Sequence, residues 1–321
     1  MLKNTPAMYK KAYPFLKEVD SLALANVQLH LEKAYKNFFR DPKVGFPRFK
    51  SKHHSKNSYT TNVVNGNILV EDNRIRLPKL KWISMKKHRE PAENCRLKSV
   101  TVSMEPSGKY FASLLYEGYS CENQAADKDY SSAKILGIDY AMQGMAVFSE
   151  EIEMEEAGFF RKNEKRLARE QRKLSRCVKG SRNYVRQKKK VARCHEKIRS
   201  QRRDYLHKLS RRITDQYDIV AVEDIDMKAM SQCLHFGKSI QDNGYGMFRN
   251  MLDYKLAWKG KELVKADRFF PSSQKCSKCG KIKKELKLSE RVYRCTCGNE
   301  MDRDRNAAIN IREEARRMLA A

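Results

Sequence analysis

The sequence is short of negative charge. Its 321 residues hold 39 Asp+Glu against 67 Lys+Arg, a formal net charge of +28. A surplus of that size implies a polyanionic partner, either nucleic acid or an anionic membrane surface. Also missing is any apolar run near the roughly 18 residues a membrane span requires, which excludes an integral membrane protein. The start, MLKNTPAMYKKAYPFLKEVD, has no apolar stretch followed by a small-residue cleavage site. Secretion is therefore not expected, and a cytoplasmic location is. Disorder is a poor fit, because 40% of residues are hydrophobic and several segments are strongly patterned. The length allows roughly two domains with buried cores.

The positive charge is unevenly placed. Between Arg161 and Arg212, 22 Lys+Arg stand against 4 Asp+Glu, so +18 of the +28 falls in 52 residues. This block reads as two long helices joined at Lys179-Gly180-Ser181. Phe160, Leu167 and Leu174 recur every seven residues, and Val191, Ile198 and Tyr205 do the same. Each helix thus has a narrow apolar seam and a broad cationic face. Cations this dominant repel one another unless a polyanion neutralises them. Nucleic-acid contact is expected, with Arg169, Arg172, Lys173, Arg176, Arg182, Arg186, Lys189 and Arg193 as candidates. A membrane surface fits less well, because it calls for bulky apolar anchors opposite the charge.

Residues 1–57 read as a helical segment. Asp20 is the expected N-cap, and Leu24, Val27, Leu31, Ala34, Tyr35 and Phe38 follow at three- and four-residue spacings. Pro42, Gly45 and Pro47 end the helix. From Ser58 the period changes to two. Turns at Asn65-Gly66 and Asp72-Asn73 flank ILV (68–70) and Arg74–Leu77, and Pro106-Ser107-Gly108 joins VTVSM to KYFASLLY. This predicts a small antiparallel sheet or barrel, with Trp82, Tyr110 and Phe111 available for stacking. A polar linker near Asp127 to Ala133 leads to a second architecture. There KILGID (134–139) and MAVFSE (145–150) resemble a hairpin, and YDIVAVED (217–224) reads as a strand covered on both faces.

Two constellations carry chemistry. Cys276-x2-Cys279 and Cys295-x-Cys297 are two close pairs at a separation that suits a tetrahedral zinc ribbon. Gly280 and Gly298 follow them, where tight knuckles favour glycine. A closed four-thiolate site would hold a fold and perform no catalysis. The remaining cysteines, Cys95, Cys121, Cys177, Cys194 and Cys233, lie scattered as free thiols of a reducing compartment. The second constellation is carboxylate: Asp139 and Glu223 end apolar strands, and Asp304 precedes NAAINIREEARRML. Acids gathered in a core would collect Mg2+ and cleave phosphodiesters. Each also has a plainer reading: Asp139 as a turn residue, Glu223 as a surface charge, Asp302 or Asp304 as a helix N-cap.

Read in order, GID (137–139), VAVED (220–224), PSSQKCSKCG (271–280) and CTCGNEMDRDRNAAINI (295–311) carry a resemblance. Further matches are VGFPRFKSK (44–52), LHKLS (206–210), Ser239 to Asp242, and YKLAWKG (254–260). Together they resemble the split RuvC-type nuclease of the TnpB family, the OrfB proteins of insertion sequences. Those are RNA-guided DNA endonucleases related to miniature type V CRISPR effectors. The resemblance covers essentially the whole chain. It implies a multidomain protein of α+β and α/β character: a helical recognition segment over 1–57, a wedge-like β-barrel over 58–130, and an RNase H-like (RuvC-type) core over 131–274. The core would hold a basic helical insert over 158–212 and be followed by a zinc ribbon over 275–300 and a last RuvC-like segment over 301–321.

Carried over by position, Asp139, Glu223 and Asp304 become the nuclease triad that holds catalytic Mg2+. Asp304 is preferred to Asp302 because the family's acid lies two residues before the asparagine of NAA, here Asn306. Cys276, Cys279, Cys295 and Cys297 become ligands of structural Zn2+. The implied partners are a guide RNA and target DNA, with no membrane and with the oligomeric state open. Two departures stand out. Ala141 occupies the position of the family's usual glycine after the first acid. The elements that typical members place before the equivalent of LKEVDSLAL (16–24), a strand and several helices, are absent from the sequence. Rival readings are a nuclease-inactive RNA- and DNA-binding protein and a strand-joining transposase.

Overall fold

Proline at the first helical position opens two short helical turns, α1 (Pro6–Tyr9) and a 3-10 turn at Pro14–Lys17. Asp20 then caps α2 (Ser21–Arg40), its carboxylate accepting the Leu22 N–H at 3.1 Å. A 3-10 turn at Pro42–Val44 ends the helical run. This computed structural model describes residues 5–49, 51, 57–118, 130, 132–141, 144–154, 158–226, 242–286 and 290–320. They divide into two units, 1–122 and 123–321. Most of the expected linker, Cys121, Cys233 and positions 239–241 lie outside the described residues.

In the first unit, strands β1 (Asn57–Asn62), β5 (Arg96–Met104) and β6 (Tyr110–Glu117) form one antiparallel sheet. Strands β2 (Leu69–Glu71), β3 (Arg74–Arg76) and β4 (Trp82–Ser84) form another. The turns fall where expected: Asn65, Gly66, Asp72 and Gly108 all take positive φ. Ile68, Ile75, Leu77 and Val100 from the two sheets bury one shared core.

The expected apolar stripe of α2 packs only in part: Leu24, Ala34, Tyr35 and Phe38 are half-buried, with Tyr35 and Phe38 edge-on to Phe46. Val27 and Leu31 remain 63% and 52% exposed, while Ala23 and Asn26 are the buried positions. Hydrogen bonding explains the shift. Asn26 Nδ2 donates to the Thr60 carbonyl at 2.9 Å, and the Thr61 hydroxyl donates to Asp20. The helix therefore turns its polar side to β1, because those groups would otherwise be buried without partners.

The second unit is built on a four-stranded mixed sheet in the order β10-β9-β7-β8. Its strands are β7 (Ile135–Ala141), β8 (Met145–Phe148), β9 (Ile219–Glu223) and β10 (Glu262–Ala266). β9 runs parallel to both β7 and β10, and β8 is antiparallel to β7. Helices α3 (Phe159–Ser175) and α4 (Arg182–Gln216) form the basic hairpin, followed by α5 (Tyr245–Ala257). The chain ends on the small ribbon β11 (Val292–Arg294)/β12 (Glu300–Asp302) and α6 (Arg303–Ala320). One sheet face packs on α4 and α5 through Leu136, Ile138, Val220, Leu206, Ile213 and Phe248. The other packs on α6 through Ile135, Ile219, Ala221, Ile311 and Ala315. β9 is thus covered on both sides, which is why its sequence is almost wholly apolar. Among the described residues no helix is long and apolar enough to cross a membrane.

Candidate active site

Strand periodicity decides which side chains meet α6. Along β7, Leu136, Ile138 and Tyr140 enter the core beneath α4 and α5, so Ile135, Gly137 and Asp139 face the other way. Ile138 is level with Val222 of β9, which brings Glu223 beside Asp139 one step further on. Gly137 marks the closest approach of α6. A β-carbon there would lie far inside van der Waals range of the Ala308 carbonyl oxygen and 2.8 Å from the Arg312 nitrogen. The bare backbone lets the helix rest on the strand.

Asp302 starts that helix, accepting the N–H groups of Asp304 and Arg305 at 2.9 Å each. The capping role thus belongs to Asp302, and Asp304 stands in the first turn. Loss of hydration pushes the Asp139 carboxyl well above the ordinary aspartate range, and the charges of Glu223 and Asp304 push it further. Arg303 and the Tyr140 N–H oppose the rise only in part. Burial raises Glu223 too, against a hydrogen bond donated by the Ser272 hydroxyl. Asp304 pairs with Arg303 at 3.5 Å and Arg291 at 3.7 Å. The three acids lie within electrostatic reach of one another, with Arg303 and Arg291 compensating Asp304 in part, and are less tightly gathered than the four cysteine sulfurs. Their hard oxygens are the donor set that suits magnesium. Ala141 takes no positive φ, so the departure from glycine leaves the strand unstrained.

The four cysteines gather more tightly. Cys276 Sγ lies 3.7 Å from Cys297 Sγ, and Cys279 Sγ lies 3.6 Å from Cys295 Sγ. All four sulfurs fall within 4.8 Å of one another, and among the described residues no other group of three or more such side chains closes to that range. Each pair sits on a turn closed by a glycine at positive φ, Gly280 and Gly298. Burial pushes the Cys276 thiol up. The N–H groups of Cys279 and Lys278, the Cys279 thiol and the Asn299 amide outweigh it, bringing it down to about 6. In the same cluster the Asn299 N–H pulls Cys297 down, but the neighbouring thiols outweigh it and push Cys297 up, so the four sulfurs share their protons unevenly. As a donor set the four sulfurs fit zinc, which binds thiolate.

Two asparagines tie the thiol cluster to the acids. Asn306 Nδ2 donates to the Lys275 carbonyl at 2.7 Å, and its Oδ1 accepts the Ser277 N–H at 3.0 Å. One turn on, Asn310 donates to the carbonyls of Ser272 and Lys275 at 2.7 and 2.6 Å. Both are buried. The segment that supplies Cys276 to the sulfurs and Ser272 to Glu223 is therefore clamped along the helix that carries Asp304. Asn310 and Ser272 were not singled out from sequence. The i, i+4 asparagines on an otherwise small-residue face were the available signal.

In the basic hairpin, Leu167, Cys194 and Ile198 form the buried seam, flanked by Phe159, Phe160 and Val191. Ser181 caps α4, accepting the Tyr184 N–H at 3.1 Å. Gln187 adds a polar lock, donating to the Glu170 carbonyl at 3.0 Å and to its carboxylate at 2.8 Å. At the base, buried Asp242 accepts the Phe160 N–H at 2.8 Å and meets Arg202 at 3.5 Å. It therefore caps α3 from a distant segment. Arg169, Arg172, Lys173, Arg176, Arg182, Arg186, Lys189 and Arg193 are all exposed. Arg169 and Lys173 share Glu170. Among the described residues no carboxylate pairs with Arg176, Arg182, Arg186, Lys189 or Arg193.

The chain is similar to known proteins in sequence and in fold. Residues 118–234 match the OrfB_IS605 family, described as a probable transposase, and residues 245–311 match the Cas12f1-like TNB domain. A Streptomyces pristinaespiralis protein named as an RNA-guided DNA endonuclease is 35% identical over 302 residues, covering 92% of this chain and 72% of that one. The Escherichia coli K12 protein InsQ, also named as an RNA-guided DNA endonuclease, is 33% identical, covering 95% and 77%. In fold, a Cas12f1 chain solved with sgRNA and target DNA matches with a TM-score of 0.56 at 15% identity, over 97% of this chain and 76% of that one. Sequence likeness over most of both chains shows common descent, and the protein belongs to the OrfB/TnpB family.

Proposed function

We propose that the protein is an RNA-guided DNA endonuclease that hydrolyses phosphodiesters at a RuvC-type site formed by Asp139, Glu223 and Asp304. The observation that supports this most is the electrostatic proximity of three acids from β7, β9 and α6, near the C-terminal ends of two parallel strands, with Asp139 held reluctant to ionise. Magnesium bound to these carboxylates would supply positive charge to the attacked phosphate and to the leaving oxygen. The residues themselves position and tune. Ser272 orients Glu223, Asp302 frees Asp304 from capping, and Arg303 moderates the charge between Asp304 and Asp139. Cys276, Cys279, Cys295 and Cys297 would hold zinc and fix the segment that Asn306 and Asn310 clamp.

The basic hairpin would grip the sugar–phosphate backbone of a guide RNA or its heteroduplex with DNA, while base pairing reads the target. Replacing Arg182, Arg186, Lys189 and Arg193 with glutamine should weaken RNA binding. It should also flatten the log-affinity against log-salt slope by up to about 3. A filter-binding salt series measures this, and an unchanged slope would remove the hairpin from the interface.

The test of the activity is cleavage of target DNA by the purified protein with its co-purified RNA, in magnesium. Glu223→Ala and Asp304→Ala should each lower cutting about a thousandfold while retaining RNA binding. Full cutting by either variant would sink the three-acid assignment. RNA-dependent DNA binding without cutting by the wild type would favour the nuclease-inactive reading.

A further inference from the structure

The first unit carries a second concentration of positive charge with an aromatic at its centre. From Arg74 to Arg89 the chain has seven Lys+Arg and no Asp or Glu. Among the described residues only Arg74 and Lys87 of the seven pair with a carboxylate, on Glu71 and Glu90. The β2-β3-β4 sheet has an inner face and an outer one. Ile75 is 3% exposed and turned into the core, so its strand neighbours Arg74 and Arg76 face outward. Arg76 is level with Trp82, and Arg74 with Ser84, which puts the indole in the same outward row. Trp82 is 38% exposed. The guanidinium carbons of Arg74 and Arg76 lie 4.7 and 5.9 Å from its ring centroid.

We propose that this outer sheet face is a stacking platform for unpaired nucleotides of a nucleic-acid strand. Charge and geometry both select that partner. A surface whose cations outnumber the flanking acids, with only Arg74 and Lys87 paired among the seven, favours a polyanion over a peptide or a neutral ligand. The indole offers a π-face, which an unpaired base can cover and a paired, stacked base cannot reach. Arg74, braced by Glu71 at 2.6 Å, and Arg76, donating to the Gly66 carbonyl at 3.3 Å, hold the guanidinium planes at the ring. A base then stacks against indole and guanidinium, and the nearby Lys79, Lys81 and Lys86 neutralise the flanking phosphates. The surface belongs to the first unit and needs none of the carboxylates, so it stands whether or not the protein cuts DNA. RNA and single-stranded DNA present the same base and phosphate chemistry, and the test separates them.

The sequence has two tryptophans, Trp82 and Trp258. In the full chain carrying Trp258→Phe, emission reports on Trp82 alone. Titration with a short oligouridylate and a short oligothymidylate should quench that emission, and the more effective strand identifies the source. A blunt RNA duplex of the same length should leave emission nearly unchanged. Trp82→Ala should weaken binding of the preferred strand about tenfold, and Trp82→Phe should restore most of it. The proposal is overturned if neither single strand quenches Trp82, or if the duplex quenches it equally. Because the quenching arm keeps Trp82 intact, a folding defect in the alanine variant cannot obscure the answer.

Discussion

Asp139→Asn should yield a protein that melts higher than wild type in magnesium-free buffer at neutral pH and cuts target DNA about a thousandfold more slowly. Both effects come from one cause. Folding strips water from the Asp139 carboxyl and sets it near Glu223 and Asp304, raising its pKa well above the ordinary 3.8. A carboxyl raised in the folded state takes up a proton on folding. Its favourable contribution is fully present below about 3.8 and is lost as pH climbs through the raised value. At neutral pH the metal-free wild type therefore carries an unfavourable charge that asparagine lacks.

The gain in melting temperature should be on the order of 2–4 °C for each kcal/mol relieved, and it should fade as pH is lowered toward 4. Added magnesium should raise the wild-type midpoint and leave the variant nearly unmoved. Cleavage should require the ionised acid, so wild-type activity should rise with pH through a range above that of ordinary carboxylates. Melting curves with and without magnesium, paired with cleavage assays, decide the matter. A variant that melts lower in metal-free buffer, or cuts within tenfold of wild type, contradicts this account.

Gly137→Ala should cost roughly 3 kcal/mol of stability in the second unit and remove cleavage with it. The added methyl would meet the Ala308 carbonyl and the Arg312 nitrogen, both backbone atoms of α6, so no side-chain rotation can relieve it. The helix must move off the strand. It carries Asp304 in its first turn and holds the Ser272–Ser277 segment through Asn306 and Asn310. One methyl group thus disturbs two acids and the thiol cluster together. Denaturant unfolding and cleavage measured on the same preparation test the coupling. Wild-type stability in the variant would show that α6 does not depend on the bare glycine.

Much of the architecture was legible because it is local. Asp20 and Ser181 cap their helices, and Gly66, Gly108 and Gly180 close turns at positive φ. The seven-residue spacing of Leu167 within α3, and of Val191 and Ile198 within α4, is the hairpin seam itself. In the ribbon, two cysteine pairs each followed by glycine contain their own geometry. Period and spacing report such features directly, since the interacting groups lie within a few residues or on one helix face.

The helix α2 and its Asp20 cap were legible, but its deepest buried positions were not. Hydrophobic spacing marked the stripe from Leu24 to Phe38, of which Val27 and Leu31 stay exposed, but spacing cannot see a polar partner in another element. Asp20 and Asn26 found theirs on β1, and those bonds set the rotation of the helix. The same blindness hid Asp242, which looks like an ordinary loop acid and caps a helix 82 residues away. It hid Asn310 and Ser272 as well, polar residues whose partners lie 38 and 49 positions off.

By itself the sequence determined the partner class, through its charge and where that charge lies; the metal chemistry of the cysteines, through spacing; and the identity of three candidate acids, through position along strands and before a helix. Only the tertiary structure decided that those acids lie within electrostatic reach of one another. Parallel pairing of β7 with β9 puts Asp139 and Glu223 one step beyond the paired Ile138 and Val222, and a glycine thin enough to admit α6 sets Asp304 within electrostatic reach of Asp139. Burial and mutual repulsion, the source of the site's demand for a cation, exist only once strands distant in sequence lie side by side. Charge is a property of residues, but the cost of gathering it belongs to the fold.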